Sequence, residues 1–537
     1  MSFDYVALRS VWYREGWFSS RTCIDAFEAG ARDRGSTSVD FASAASVLSV
    51  TVADLHDAAV TFAAGLQRLG VRPGDVVAVQ LTNRVECAIA YQAVLLSGAV
   101  LVPIVHIYGQ GEVEFIVRQC GASVLITATE SIAVALGSAV RHVVLVGAES
   151  GAGWLVWSDV QSEGYVRPDV SSDDVCLLMY TSGTTSVPKG VQHTHNTMLA
   201  EQATMPALIA GEPDDVSLVS FPPGHIAGVG SMLRALMSGS RTVFLEKWDP
   251  RRAVEVIRDF RVTSTAGVPT HLQGILELGC TNGELATLRE FLVGAAPVTE
   301  ELGERAAAAG IATFRSYGAT EHPTVSGVHT DEPRWARLRT DGRPMPGSVV
   351  RILAADGSEA PTDTDGEVVV RGPEQFVGYR DAQLDDEAFT DDGWFRTGDL
   401  GRLDADGRLI ITDRIKDVII RGGETISSAQ VEDVLSAHRC PSVRWSRRPT
   451  PGTGRSWRPW LCSNPMSDLT STRYEVISPS PAWRSRRCRK GWSSSMPCPV
   501  RRWARYARPN CVPSTFPGRC LMRRRGARGS KCDRVLA

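Results

Sequence analysis

The chain has 537 residues, enough for more than one core, and 58 Lys plus Arg nearly balance 60 Asp plus Glu, for a formal charge of −2. No apolar run reaches the roughly 18 residues of a membrane span, and Met1–Arg21 carries no basic-plus-apolar leader, so a soluble cytoplasmic protein is expected. The near-neutral total hides a split: from Arg439 onward stand 23 of the basic residues but only 3 of the acidic ones, with 7 of the 12 cysteines and 6 of the 13 tryptophans.

In chain order, Thr51–Leu69 places Leu55, Ala58, Ala59, Phe62, Leu66 and Leu69 at helical spacing, and Gly70 supplies a stop. Pro73-Gly74-Asp75 is a turn, Val76–Leu81 a buried strand, Glu86–Ser97 a helix and Ala99–Ile104 a strand. Further strands are expected at Val124–Ala128, Val143–Val146, Ser217–Phe221, Thr242–Leu245 and Phe291–Val293. Asp249-Pro250 caps a helix over Arg251–Phe260. Such alternation implies an α/β fold of doubly wound sheets, with ligands outside the strand C-termini. From Val349 the pattern changes to short strands (Val349–Leu353, Gly366–Arg371, Gly407–Ile411), which predicts a smaller antiparallel or barrel-like unit. The body's five cysteines, Cys23, Cys87, Cys120, Cys176 and Cys280, show neither pairing nor metal spacing, consistent with reduced thiols.

Chemistry concentrates first in Tyr180–Gly190, Y-T-S-G-T-T-S-V-P-K-G. The hydroxyls of Thr181, Ser182, Thr184 and Thr185, the small Gly183 and the charge of Lys189 follow the apolar run Val175–Met179. Small residues admit a close ligand, while hydroxyls, free N–H groups and a lysine suit a polyphosphate. Pro188 stands where a Walker A loop needs glycine, which excludes that motif. His193-Thr194-His195 has an alternate spacing suggestive of metal, but no further ligand is spaced to join it, so zinc is not expected.

The loop resembles the phosphate loop of the adenylate-forming superfamily, which includes acyl-CoA synthetases, luciferases and peptide-synthetase adenylation domains; Ser186 stands where the family usually has Gly. Further segments follow in the family's order: F-P-P-G-H-I-A-G (Phe221–Gly228), G-A-A-P (Gly294–Pro297), Y-G-A-T-E (Tyr317–Glu321) and G-R-P-M-P-G (Gly342–Gly347). G-W-F-R-T-G-D-L (Gly393–Leu400) and D-R-I-K-D-V-I-I-R-G-G-E (Asp413–Glu424) complete the set, so the likeness runs from about residue 20 to His438.

The resemblance implies an ATP-dependent carboxylic acid:CoA ligase that forms an acyl-adenylate, then acyl-CoA, with AMP and pyrophosphate released. ATP, Mg2+ and coenzyme A are the implied cofactors and co-substrates, and a small carboxylic acid the partner. Glu321 is then the magnesium ligand, as hard cations take carboxylate oxygens, and Thr320 a donor to the α-phosphate. Tyr317 lies against adenine, with the backbone of Gly294, Ala295 and Ala296 on its other edge. Asp399 suits the ribose hydroxyls, Arg414 ribose and phosphate, and Lys416 the hinge of a rotating C-terminal domain. Gly422 and Gly423 resemble the loop lining a pantetheine tunnel, and His225 the histidine near the acyl entrance. Gly267, Val293 and Gly318 are placed in the acyl pocket. The V-Q-H-T-H-N-T segment (Val191–Thr197) resembles ligases for cyclic or medium-chain acids. Loading of a carrier protein, or a nucleotide-binding pseudoenzyme, are the alternative readings.

The expected organisation is an adenylation domain over 1–412, a hinge and the start of a small α+β domain over 413–438, and an aberrant, disordered tail over 439–537. Runs such as Trp483–Lys490 and Arg523–Arg525 have neither helical nor strand period, and no RNA-binding motif accompanies them, so nucleic acid is not an expected partner. A shifted reading frame accounts for this tail. Codons built from the third base of one residue and the first two of the next permit Val-Val-Ala-Ala-Pro-Asp-Pro-Arg-Tyr-Gly-Glu-Val-Val across Arg444–Trp457. The same frame permits Ser-Gly-Lys-Val across Phe516–Cys520, which resembles the family motif whose lysine binds the reacting carboxylate.

Overall fold

Val76–Gln80, Val100–Pro103 and Val124–Thr127 are short apolar runs with every side chain buried, and they form the centre of a seven-stranded sheet. Strands buried on both faces need no polar alternation, which is why these segments read as continuous hydrophobic runs. The sheet order is 155–156, 142–145, 124–127, 76–80, 100–103, 175–181 and 189–194, parallel except for its last pair. The computed structural model describes residues 5–147, 154–181, 188–209, 211, 214–279, 283–294 and 298–415. Beyond these it describes the strands Ile419–Arg421, Glu424–Ile426, Val443–Arg448 and Ser456–Leu461.

A nine-stranded sheet runs in the order 343–344, 322–327, 312–319, 290–293, 264–267, 217–219, 242–245, 38–42 and 47–51, parallel through its middle and antiparallel at both ends. One hydrophobic core joins the two large sheets: Val39, Phe41 and Phe244 from one, Val77, Val79 and Leu177 from the other. Helices Cys23–Arg34, Val52–Arg68, Val85–Leu96 and Ile226–Ser238 contribute to the same core. Val85–Leu96 is buried along most of its length, in keeping with an apolar sequence that shows little amphipathic pattern.

Local chemistry sets several boundaries. Thr51 caps the helix Val52–Arg68, accepting from the Asp54 backbone while Asp54 bonds back to Thr51. Asp249 accepts from the Arg252 N–H at 2.9 Å, and Pro250 opens the helix Pro250–Asp259. Of the two forms expected after Val349, the structure shows a four-stranded antiparallel sheet, ordered 349–353, 366–371, 395–403 and 409–414. The strand expected at Gly407–Ile411 begins later, at Leu409, because Gly407 (φ +75°) closes a turn whose backbone is tied to Asp404.

The chain divides into two units, Met1–Val431 and Glu432–Ala537. Within the second, Val443–Arg448 and Ser456–Leu461 pair as an antiparallel hairpin, Val443 opposite Leu461 and Arg448 opposite Ser456. The other expectations for 439–537 lie outside the described residues. Among the described residues, no helix is long and apolar enough to cross a membrane.

Candidate functional site

The strand Ala312–Ala319 turns back into His322–Gly327, pairing Ala319 with His322 and leaving Thr320 and Glu321 at the tip. Gly318 is required here: a Cβ on it would meet the Pro323 carbonyl oxygen at 1.9 Å. Two other segments hold the tip. The Phe376 N–H donates to the Glu321 carbonyl at 2.8 Å, and His193 Nε2 lies 2.7 Å from the Thr320 carbonyl oxygen. A carbonyl can only accept, so His193 carries its proton on Nε2. Burial pushes the His193 pKa down to about 4, which keeps the ring neutral. The first histidine of His193-Thr194-His195 thus positions the Thr320–Glu321 turn.

Around that tip three expected or new site residues meet. Tyr379 donates its hydroxyl to Glu321 Oε1 at 2.8 Å, and Lys189 Nζ lies 4.7 Å from the centre of the Tyr379 ring. Residues 377–380 run alongside the edge strand Lys189–Thr194, with Val377 N–H donating to Gln192 and Arg380 N–H to Gly190, which is what brings Tyr379 to Lys189. Burial raises the Glu321 pKa, opposed by the Tyr379 hydrogen bond and the Lys189 charge. Thr181 closes the strand Val175–Thr181 directly opposite Lys189, so the expected phosphate loop is the connection of a hairpin.

A second cluster joins three residues expected to handle the nucleoside. The Tyr317 hydroxyl donates to Asp399 Oδ2 at 2.5 Å, and Arg414 Nε lies 3.2 Å from Asp399 Oδ1. Asp399 and Arg414 are directly opposed in adjacent strands of the four-stranded sheet. Burial, then the Asp399 charge, push the Tyr317 phenol well up, so it remains a donor. Asp399 is buried while the Arg414 side chain is largely exposed.

The acyl-pocket candidates sit at strand ends of the nine-stranded sheet. Gly267 and Val293 are paired in register, and the Gly294 N–H donates to the Gly267 carbonyl at 3.1 Å. His271 crowds Gly267, its Nδ1 2.8 Å from where a Cβ would stand. That ring stacks on Trp248 with centres 3.8 Å apart, and burial lowers its pKa to about 4. His225 caps the helix Ile226–Ser238 in extended conformation, and burial followed by the His106 charge lowers its pKa. Ser182, Gly183, Thr184, Thr185, Ala295, Ala296, Lys416, Gly422 and Gly423 lie outside the described residues.

Sequence reasoning missed Tyr379 and the role of His193. Tyr379 follows Val377-Gly378, a segment without motif character, and only its backbone pairing to 189–194 reveals it. Cys23, Cys87, Cys120 and Cys176 are free thiols, as expected, and Cys23, Cys176 and His195 come together in the fold although nothing in their sequence spacing shows it. Burial disfavours the charged form of Glu321, and its donors are hard oxygens, so a divalent cation of the magnesium type fits it.

Parallel sheets whose strand ends carry a polar loop, a buried carboxylate and a tyrosine–aspartate pair are the frame of a nucleotide-handling α/β enzyme. The chain belongs to the AMP-binding enzyme family, which it matches over residues 28–380. A feruloyl-CoA synthase from Amycolatopsis sp. is 33% identical over 394 residues, covering 72% of this chain and 78% of the relative. Among solved structures, O-succinylbenzoate coenzyme A synthetase from Bacillus subtilis in complex with ATP and magnesium ion is similar at a TM-score of 0.72 and 26% identity, over 81% of this chain and 89% of that one. The same synthetase in complex with its acyl-adenylate intermediate gives 0.73 and 26%, over 84% and 90%.

Proposed function

We propose that this enzyme joins a carboxylic acid to coenzyme A in two steps, acyl-adenylate formation from ATP and thioester formation with release of AMP. The single observation that carries the reading is the meeting of Lys189, Tyr379 and Glu321, with Lys189 paired to Thr181 across the hairpin. A cation, a phenol donor and a carboxylate thus meet near the paired strand ends Thr181 and Lys189. A magnesium ion held by Glu321 would neutralise phosphate charge. Lys189 adds positive charge on the other side of Tyr379, Thr320 offers its hydroxyl to the α-phosphate, and the Tyr317–Asp399–Arg414 cluster orients the nucleoside. Asp399 accepts from the ribose hydroxyls while Tyr317 and Arg414 fix its carboxylate.

The acyl group enters past His225 toward Gly267, Val293 and Gly318. Lys416 is the pivot between half-reactions, and Gly422-Gly423 lines the thiol's approach. Support for coenzyme A as acceptor comes from the relatives, a feruloyl-CoA synthase and a coenzyme A synthetase. The test is carboxylate-dependent exchange of labelled pyrophosphate into ATP across a panel of aromatic, cyclic and medium-chain acids, followed by thioester assay with coenzyme A. Exchange with at least one acid and thioester from coenzyme A are expected. ATP binding without exchange for any acid would turn the reading to a pseudoenzyme, and a thioester formed only on a carrier protein would change the acceptor.

A further inference from the structure

Cys23, Cys176 and His195 stand outside the nucleotide and acyl residues, yet the fold gathers them. Each offers a ligand atom, two Sγ and one imidazole nitrogen, and all three lie within 4.8 Å of one another. All are buried, at 0%, 2% and 2% exposure. Cys23 is the first residue of the helix Cys23–Arg34, Cys176 lies in the strand Val175–Thr181, and His195 opens the helix His195–Thr204. The Cys23 N–H donates to His195 Nδ1 at 3.3 Å, a long hydrogen bond that a cation on the neutral ring would have to replace. Three elements from distant parts of the chain therefore present soft donors to one buried point.

We propose that Cys23, Cys176 and His195 form a buried three-donor site for a thiophilic d10 cation, Zn2+ or Cu+. Two thiolates and a neutral imidazole match the ligand softness of both ions. Two thiolates neutralise Zn2+ completely, so that complex enters the interior without net charge. Three donors are complete coordination for Cu+ but leave Zn2+ one position short of its usual four. Binding displaces one proton from each thiol and involves no oxidation: Zn2+ plus two thiols gives a neutral dithiolate complex and two protons, and Cu+ plus two thiols gives a dithiolate complex of charge −1 and two protons.

The same geometry argues against a redox sensor, for which solvent access is the usual requirement. A buried site without solvent access is filled as the chain folds, and the bound ion then adds its affinity to folding stability. Its place also has a consequence for the nucleotide site. Cys176 lies about 16 Å of strand before Thr181, at roughly 3.3 Å per residue, so the ion would staple the hairpin of the phosphate loop to the helix Cys23–Arg34.

The experiment uses the full chain, expressed in separate cultures supplemented with zinc or copper and desalted before elemental analysis and X-ray absorption. About one equivalent of one metal is expected beyond whatever the cysteines after Arg439 bind, and that equivalent should be lost in Cys176→Ser and in His195→Ala. The absorption edge decides between zinc and copper, and the first shell should include a centre with two sulfurs and one nitrogen. Metal-free wild-type protein, or the same metal content in wild type and both variants, overturns the proposal. So does a Cys23–Cys176 disulfide found by mass spectrometry in metal-free protein. Should either variant fail to fold, the wild-type shell still decides: oxygen-only or all-sulfur coordination refutes the site.

Discussion

Glu321 is a carboxylate kept partly from water and tied through one oxygen to Tyr379. Replacing it with alanine should slow adenylation by about 10²-fold, the cost typical of one lost electrostatic contact at a reacting centre, with the melting temperature little changed. Pyrophosphate exchange at saturating ATP checks this, and a loss confined to thioester formation would remove Glu321 from the first step. Its raised pKa has a sign: the charged form that binds a cation is lost as pH falls, beginning above the ordinary carboxylate range. Magnesium dependence measured across pH should therefore weaken on the acid side in wild type. Glu374 tests the same physics without chemistry. It is buried, accepts from Thr204 Oγ1 and from the Thr324 N–H, and lies near Glu201, Arg234 and His322. Burial, then Glu201, raise its pKa to about 8. The folded protein holds a proton that the unfolded chain releases above about 4.3. Its stabilising contribution is thus full at low pH and lost as pH rises through about 8. Glu374→Gln should flatten that decline in melting temperature, and parallel wild-type and variant curves would refute it.

The Thr320–Glu321 turn shows how an element transmits a backbone requirement to a site. Gly318→Ala places a methyl against the Pro323 carbonyl, so the two strands must part and the tip must move. A displacement near 1 Å can cost about 10²-fold in rate; pyrophosphate exchange should fall by that order, and full activity would show that the turn tolerates the shift. Lys416→Pro belongs to the same scale, since it stiffens the proposed pivot. It should impair one half-reaction far more than the other, and equal loss of both in a folded variant counts against a hinge. Much of this scale was legible in sequence. The helix expected over Thr51–Leu69, Asp249 and Pro250, and the buried runs at 76–80 and 124–127 act through neighbours in the chain, so local pattern finds them within a residue or two. The motifs also marked Tyr317, Asp399 and Arg414, which the fold brings into contact. Tyr379 was illegible because its position comes from pairing with Lys189–Thr194, far away in sequence. The Cys23–Cys176–His195 cluster was illegible for the same reason.

At the scale of the whole molecule the charge split is the decisive feature. The body before Arg439 is acidic, and the tail holds 23 basic residues against 3 acidic ones. The family match ends at residue 380, and the feruloyl-CoA synthase match covers 72% of this chain and 78% of that relative. We propose that the sequence beyond about His438 is a shifted reading of a C-terminal domain that an intact frame would encode. The shifted codons permit Pro-Asp-Pro-Arg-Tyr-Gly-Glu within Arg444–Trp457, and a Ser-Gly-Lys-Val that supplies the carboxylate-binding lysine if Arg519 is encoded by AGA or AGG. In the frame as written, neither Lys490 nor Lys531 lies in such a motif. The chain should then keep the nucleotide binding proposed for residues before 415, while adenylation falls severely for want of that lysine. Expression of both frames, with ATP binding by calorimetry and pyrophosphate exchange side by side, gives the answer. The restored frame should exchange and the written frame should only bind. Full ligase activity in the written frame, or a tail that resists protease as a folded domain, would sink the idea, and so would gene sequence whose codons forbid the shifted motif.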